Sequence, residues 1–277
     1  MGGRRMILTA ENYYSQEADL EYLSVSQYKA FCGTGGRPGC EFHTMKKLIG
    51  EWTDPPTTPL LVGSYVDSYF EGPESLARFK AENPDIFNTR TGELKATYKH
   101  AEKMIQRVER DALFMDFMSG EKQVIMTGEI AGAKWKIKMD SYIPGAAIVD
   151  LKTLKAFRSI SRRNSADVWV KDTGYEKFYH YWGYDLQLAV YQEIVRQNTG
   201  EKLPCYLAVI TKEEEPDFGV GQLMQSELDA GLAEITEYRV DRIQKLKAGE
   251  IYPDMCGECD CCRANMVLEG PVWAADW

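Results

Sequence analysis

Residues 134–153, KWKIKMDSYIPGAAIVDLKT, constrain the fold more than any other stretch of the chain. Polar and apolar residues alternate in KWKIKMD, so we expect its apolar side to face the core and its lysines and Asp140 to face outward. The run AAIV follows a Pro-Gly turn and leads to Asp150 and Lys152, which share one face of a second strand. An antiparallel hairpin would bring Asp140 across from Asp150.

Such a hairpin has the composition of a hard-metal site. Two neighbouring carboxylates in a partly dry site repel each other, and each tends to hold a proton. A divalent cation removes that cost, and Mg²⁺ (or Mn²⁺) leaves positions for water and phosphate oxygens. Lys152 would orient and deprotonate an attacking water or neutralise charge on phosphorus. The alternative is an exposed Asp150–Lys152 salt bridge, but the apolar run before Asp150 favours an interior strand.

The periodicity elsewhere predicts helices and strands around this hairpin. Helices are predicted over residues 24–31, 41–49, 60–72, 96–118, 175–200 and 224–250. Strands are predicted over residues 122–130, 133–143, 146–153 and 204–213, with the last one central in a sheet. Gly63 is expected to let its helix pack closely against a neighbour. This order predicts an α/β fold, a sheet with flanking helices.

Composition restricts the class of protein. The chain has 277 residues, and we expect one domain over residues 6–277, with the first five residues an extension. Its 33 Lys and Arg against 42 Asp and Glu give a net charge of −9, which argues mildly against indiscriminate binding to a polyanion. No apolar run reaches the ~20 residues of a membrane span. Seven cysteines, four of them in CGECDCC, are typical of a reduced, metal-holding arrangement in the cytoplasm.

Three further motifs give the hairpin a family context. The D…DxK set resembles the PD-(D/E)XK nuclease superfamily, and LLVGSYVD resembles the G-x-x-x-H motif of its RecB-like branch. Gly63 matches the glycine of that motif, while Asp67 stands in place of the metal-binding histidine. GYDLQLAVYQ resembles the Q-x-x-x-Y motif, with Gln187 and Tyr191 one helical turn apart. YLSVSQYKAF resembles the Ser-x-Ser helix entry of the same branch.

The resemblance implies a restriction-endonuclease-like fold with a central mixed sheet. It also implies a Mg²⁺-dependent DNA exonuclease like the phage exonuclease VIII (RecE-type) proteins, which degrade linear duplex DNA 5′→3′ beside a RecT-like annealing protein and form homo-oligomers. Asp67, Asp140 and Asp150 would then hold the metal, Lys152 would position water, and Gln187 and Tyr191 would hold the DNA strand. The alternatives are a single-strand nuclease of the AddB-like kind and a non-cleaving DNA-binding scaffold whose metal is structural.

Two further groups are candidates with an ordinary alternative. Glu129 ends a predicted strand beside the hairpin, and it is either an additional metal ligand or a turn residue between glycines. A basic strip follows the second hairpin strand, and the lysines of KWKIKMD share a face with Asp140. Both groups either track DNA phosphates or belong to solvated faces. The strip comprises Lys155, Arg158, Arg162 and Arg163.

The cysteines predict a second metal site. Cys256, Cys259 and Cys262 recur every three residues, so their thiolates can converge on one ion or cluster that needs a fourth ligand. Resemblance to AddB-type proteins implies a [4Fe–4S] cluster that joins the two ends of the domain, with Zn²⁺ as the alternative. Either Cys40 or Cys32 would be the fourth ligand. Cys40 is favoured, because a predicted helix starts directly after it.

Overall fold

The structure is a computed structural model that describes residues 6–34, 38–157, 177–267 and 270. The strands of these residues form a two-stranded sheet, β1–β2, and a four-stranded sheet in the order β3-β4-β5-β6. Their bounds are β1 Val124–Ile130, β2 Ala133–Met139, β3 Ser141–Ile143, β4 Ala147–Leu154, β5 Cys205–Thr211 and β6 Phe218–Gln222.

The four-stranded sheet is mixed, as the resemblance implied. β4 pairs with β5 in parallel, whereas β3–β4 and β5–β6 are antiparallel, so β5 is an inner strand as predicted. Ser141 of β3 pairs with Val149 of β4. The next step of that register places Asp140, at the bend between β2 and β3, opposite Asp150.

Helices cover both faces of this sheet. In the part of the chain that the structure describes, the α-helices are α1 Gln16–Glu21, α2 Val25–Cys32, α3 Glu41–Leu48, α4 Thr58–Glu71, α5 Pro73–Glu82, α6 His100–Val108, α7 Ala112–Phe117, α8 Phe178–Tyr181, α9 Tyr184–Thr199, α10 Gln225–Ala233, α11 Glu237–Lys247 and α12 Asp260–Asn265. On one face of β4, Ile148 joins a buried cluster with α2, α9, α10 and α11, and on the other face Val149 joins a cluster with α4 to α7. Asp150 lies on the same face as Ile148 because side chains alternate along a strand.

Three of the long predicted helices are each two helices. Asp111 caps α7 by accepting the N–H of Phe114, and Thr236 caps α11 by accepting the N–H of Arg239, so local hydrogen bonds end the longer helical runs. Gly183, at φ 61°, separates α8 from α9. Strand β6 was not predicted, because two of its five residues are glycines, and neither was α5.

The polar side of β2 is covered at its middle lysine, contrary to prediction, whereas Lys134 is exposed as predicted. Lys136 is 1% exposed, and its ammonium contacts Asp19 Oδ1 at 2.7 Å. The segment around Leu23 bonds to the edge of β2, which brings α1 over the lysine. The apolar side is buried as predicted. Lys136 therefore cannot track DNA phosphates as an exposed side chain.

Helix α4 packs closely on β4 through Gly63, as predicted. A Cβ atom at this position would come within 2.9 Å of Thr153 Oγ1. Since residues four apart lie on one stripe of a helix, this contact aims Asp67 and Glu71 along the surface of β4. In the described chain, every helix is too short or too polar to span a membrane.

Candidate active site and sulfur site

The hairpin brings its two aspartates and Lys152 together. The backbone N–H of Leu151 donates to Asp140 Oδ2 at 2.9 Å, which ties the bend after β2 to β4. Lys152 Nζ lies 2.5 Å from Asp150 Oδ2, and the side chains of Asp150 and Lys152 are 2% and 18% exposed. The pair is therefore enclosed in the protein, and the alternative of a solvated salt bridge does not hold.

Helix α9 holds the carboxylate of Asp150 from the opposite side. Gln187 Nε2 donates to Asp150 Oδ1 at 2.7 Å and lies 3.2 Å from the hydroxyl of Tyr191, one turn along the helix. Tyr191 in turn donates to the backbone oxygen of Lys138 at 3.1 Å. Both motif residues of α9 thus reach the hairpin, one on each strand.

Helix α4 completes a cavity over these residues. Asp67 and Glu71 line it together with Ser24 and Ser26, which stand at the start of α2. The cavity has a volume of about 340 Å³, within the range of small-ligand sites. Asp140, Asp150, Lys152, Gln187 and Tyr191 line the same cavity.

The enclosed acids repel one another. Burial, and then the charge of Asp150, raises the pKa of Asp140 to about 6, although Lys152 and the Leu151 N–H oppose the shift. Burial, and then the charge of Asp140, raises the pKa of Asp67 to about 8. For Lys152, burial lowers the pKa, but the charges of Asp150 and Asp140 outweigh it and raise the value. At neutral pH and without a bound cation, Asp67 thus favours its protonated form in a site that also contains the charged Lys152 ammonium.

The donor set suits a hard cation. Asp150 Oδ2 is buried, and the Lys152 ammonium lies 2.5 Å from it as its ion-pair partner. A buried carboxylate beside further acids matches the all-oxygen ligands of Mg²⁺. Asp67, Asp140 and Asp150 are the residues that would hold the ion, although their oxygens do not all lie within 4.8 Å of one another.

Two other sequence candidates lie outside this cavity. Glu129 is exposed and pairs with Lys134 at the far end of the β1–β2 hairpin. It lies five residues from Val124, the β1 residue nearest the site, which is about 17 Å of strand. It is therefore not a ligand in this cavity. In the basic strip, Lys155 is exposed, while the three arginines at positions 158, 162 and 163 lie outside the described residues.

The cavity also has lining residues that the sequence did not single out. Glu71 could have been found, since it lies one turn beyond Asp67 on the same helical stripe. Tyr13, Tyr14 and Gln123 could not, because no local pattern relates them to the hairpin. They line the cavity beside Lys138.

The predicted sulfur ligands converge. Within the described residues, Cys40, Cys256, Cys259 and Cys262 are the one group of at least three His, Cys, Asp or Glu ligand atoms that all lie within 4.8 Å of one another. Sulfur–sulfur separations are 3.4 Å from Cys40 to Cys262, 3.8 Å from Cys256 to Cys262 and 3.9 Å from Cys259 to Cys40. Cys32 is not in the group, so the preference for Cys40 agrees with the structure.

Backbone donors surround these sulfurs. Cys40 caps α3 by accepting the N–H of His43, and Cys259 caps α12 by accepting that of Cys262. The N–H of Cys259 donates to Cys256 Sγ at 3.4 Å, and such backbone donors lower the pKa of Cys256 to about 6. Burial raises the pKa of Cys262. Four soft thiolates held by short helices can bind a metal ion.

Comparison with known proteins agrees with this architecture. The PDDEXK-like domain of unknown function matches residues 24–265. The crystal structure of a "Putative exonuclease" from Eubacterium rectale is 57% identical in sequence, covers 98% of each chain and superposes with a TM-score of 0.89. A second structure, SSO0001, covers 69% of this chain and 79% of its own at 14% identity, and its TM-score of 0.27 supports no argument. No curated protein matches the chain. Since the family match contains the mixed sheet, α4, α9 and the acidic cavity, the chain belongs to the family of PDDEXK-like domains.

Proposed function

We propose that this protein is a Mg²⁺-dependent DNA exonuclease that degrades linear duplex DNA from its ends. The observation that carries the proposal is Asp150, a buried carboxylate that is held by Gln187 and Lys152 and shares one cavity with Asp67 and Asp140. A carboxylate in that state is suited to a cation that phosphate can reach. The description of the Eubacterium rectale protein as an exonuclease, at 57% identity, supports an exonuclease activity.

The side chains of the cavity have separable tasks in this proposal. When bound, the cation polarises the scissile phosphate and lowers the pKa of its water ligand. Gln187 fixes the rotation of the Asp150 carboxylate through its hydrogen bond to Oδ1, and Asp150 would hold the ion together with Asp67 and Asp140. Lys152 stays near the developing charge on phosphorus, where an ammonium stabilises a transition state. Tyr191 anchors β2 to α9 and keeps Asp140 in register with β4.

The test is digestion of end-labelled linear duplex beside a closed circle of the same sequence, with Mg²⁺. We expect the wild-type protein to degrade the linear form only and the Asp150→Asn variant to degrade neither. Asp229→Asn, at an exposed aspartate of α10, is the matched control and should be fully active. Cleavage of the circle, or undiminished digestion by Asp150→Asn, refutes the proposal.

Two arms of the same experiment separate the rival functions. Labels at the 5′ and 3′ ends distinguish 5′→3′ degradation, which the proposal includes, from the opposite polarity. A single strand digested faster than the duplex would indicate the AddB-like nuclease instead. Binding of labelled ends without any cleavage would indicate a DNA-binding scaffold.

We also propose a biological process, an assembly state and partners for this enzyme. We place it in phage-type recombination of the RecE kind, as one domain over residues 6–277 that acts in the host cytoplasm. It would assemble as a homo-oligomer and work beside a RecT-like annealing protein, and exposed Lys155 would contact DNA phosphates. Light scattering of the purified protein, with and without such a partner, tests the assembly. A strictly monomeric enzyme would contradict it.

For the sulfur site we propose a single tetrahedral ion, with Zn²⁺ the best fit. Zinc–thiolate bonds of about 2.3 Å place tetrahedral sulfurs about 3.8 Å apart. The separations of 3.4 to 3.9 Å agree with that spacing. The thiolates of a [4Fe–4S] cluster bind four different irons and stand further apart, so these separations favour a single ion over the cluster that the AddB resemblance implies. Metal analysis should find one zinc per chain, whereas iron, sulfide and visible absorbance would overturn this.

A further inference from the structure

An exposed aromatic ring stands at the mouth of the acidic cavity. Tyr13 and Tyr14 both line the cavity, yet Tyr13 is buried whereas Tyr14 is 69% exposed. Tyr14 thus presents a large apolar surface to solvent beside the residues that would cleave a phosphodiester. An exposed aromatic at a binding cavity is an unusual placement, since aromatic rings gain most from burial.

The ring is held in place by its neighbours. The preceding turn is closed by the N–H of Tyr13 donating to Thr9 O at 3.0 Å. The ring of Tyr13 meets that of Tyr14 edge to face, with centroids 4.9 Å apart and planes at 86°. The Lys138 ammonium lies 4.7 Å from the Tyr14 centroid and 3.9 Å from Glu71 Oε1. The orientation of Tyr14 is therefore set by a cation, an aromatic edge and a turn.

We propose, resting on the nuclease function above, that Tyr14 is a stacking platform for the nucleobase next to the scissile phosphate. A fixed and exposed ring binds any base through its π-face, which suits an enzyme that must accept every sequence. Lys138 approaches the ring and, through Glu71, ties it to the wall of the cavity. The ring would thereby register the terminal nucleotide with the carboxylates.

The proposal predicts which kinetic constant changes. Tyr14 is not among the acids and bases of the site, so its loss should raise KM for DNA ends more than it lowers kcat. One base–aromatic stack corresponds to about a tenfold change in binding or more. An abasic nucleotide at the stacked position should reproduce the loss in the wild-type protein and add nothing to the Tyr14→Ala variant.

The experiment uses duplex DNA with 2-aminopurine at the terminal nucleotide and Ca²⁺ in place of Mg²⁺, so that binding is observed without turnover. Stacking quenches the fluorescence of this base. Wild type and Tyr14→Phe, which keeps the ring, should quench it, whereas Tyr14→Ala should not and should bind ends about tenfold more weakly. Tyr238→Ala is the control, since Tyr238 is 78% exposed on α11 and does not line the cavity.

The outcomes distinguish this proposal from the nuclease proposal. Equal quenching by wild type and Tyr14→Ala overturns the platform, even when the protein digests linear DNA normally. Loss of quenching in both Tyr14→Ala and Tyr14→Phe also overturns it, because the ring alone should suffice. A protein that quenches through Tyr14 but never cleaves in Mg²⁺ supports the platform and refutes the nuclease.

Discussion

Gln187 Nε2 lies 2.7 Å from Asp150 Oδ1, while Lys152 Nζ lies 2.5 Å from Oδ2 of the same carboxylate. A side chain of α9 and a side chain of β4 thus fix the two oxygens of one buried acid from opposite sides. Gln187 also touches Tyr191, whose hydroxyl reaches the backbone of Lys138. The amide therefore connects both strands of the hairpin to one helix.

We expect Gln187→Ala to weaken the response to Mg²⁺. Groups that orient a metal-binding carboxylate commonly change metal affinity or activity by about 10–100-fold when removed. The initial rate of DNA digestion should require correspondingly more Mg²⁺, and the thermal midpoint should fall, because the buried Asp150 Oδ1 loses its hydrogen-bond donor. Gln197→Ala on the same helix is the control, because that amide bonds to the backbone of Glu129 away from the cavity. Superimposable Mg²⁺ titrations of wild type and Gln187→Ala would contradict the assignment.

Lys152→Ala should abolish digestion while leaving DNA binding largely intact. Removing the ammonium leaves Asp150 without its counter-ion. We therefore also expect the free energy of unfolding to decrease by about 1–3 kcal/mol in the absence of metal. Lys152→Arg keeps the charge and should recover part of the rate. Lys245→Ala, at an exposed lysine of α11 that does not line the cavity, is the control and should digest DNA at the wild-type rate. Wild-type rates from Lys152→Ala would exclude this lysine from the reaction.

The hairpin could be predicted because its information is local. Alternation in KWKIKMD and the length of the connection set both the buried face and the register that places Asp140 opposite Asp150. The burial of Lys136 could not be predicted in the same way, because the helix that covers it, α1, is distant in sequence. The prediction of Glu129 as a metal ligand was wrong for a different reason. A residue close in sequence to the site can still lie at the far end of its hairpin, as Glu129 does.

For the sulfur site, the sequence predicts which residues converge but not the geometry of the site. The spacing of Cys256, Cys259 and Cys262 was sufficient to predict convergence, yet it could not fix the separations between the sulfurs. Those separations depend on how α3 and α12 meet, which is a tertiary property. Tyr14 was missed altogether, since its role rests on contacts with Lys138 and Tyr13 at the cavity mouth.

Metal-free stability should fall as pH rises. The folded-state pKa values, about 6 for Asp140 and about 8 for Asp67, lie above the ordinary 3.8, so the folded protein binds more protons between pH 4 and 8. The stabilisation that comes from keeping these two acids protonated is complete below pH 4. As pH rises, the contribution of Asp140 is lost by about pH 6 and that of Asp67 by about pH 8. Denaturant unfolding without Mg²⁺ should show a slope that Asp67→Asn flattens, by up to about 6 kcal/mol across this range. Mg²⁺ should bind more tightly as pH rises, because it competes with these protons. Equal slopes for the two proteins would contradict the proposed coupling.

Gly63→Ala should disturb both packing and metal binding. Its Cβ would approach Thr153 Oγ1 to 2.9 Å, closer than packed atoms allow, so α4 must shift away from β4. Overpacking of this kind costs about 1–3 kcal/mol, measured as the free energy of unfolding. Asp67 should move with the helix, and Mg²⁺ affinity should fall as a result. Adding Thr153→Ala to the Gly63→Ala variant should restore part of the stability and part of the Mg²⁺ affinity. Gly221→Ala is the control, because nothing lies within 4 Å of that position. No difference between the two glycine variants would refute the close contact.

Cys40→Ser should release the bound ion and destabilise the fold, whereas Cys32→Ser should do neither. Cys40 and Cys262 are 222 residues apart in sequence, so an ion held between them closes a very long loop and its binding energy adds to folding. We therefore expect a metal chelator to lower the thermal midpoint of the wild-type and Cys32→Ser proteins. The thermal midpoint of Cys40→Ser should be lower from the start and should not change when the chelator is added. Metal content, measured beside each melting curve, should fall only in Cys40→Ser. Cys261→Ser is a second control, because that buried thiol adjoins the site without belonging to the converging group. Equal metal content in Cys40→Ser and Cys32→Ser would show that the amino-terminal cysteine is not a ligand.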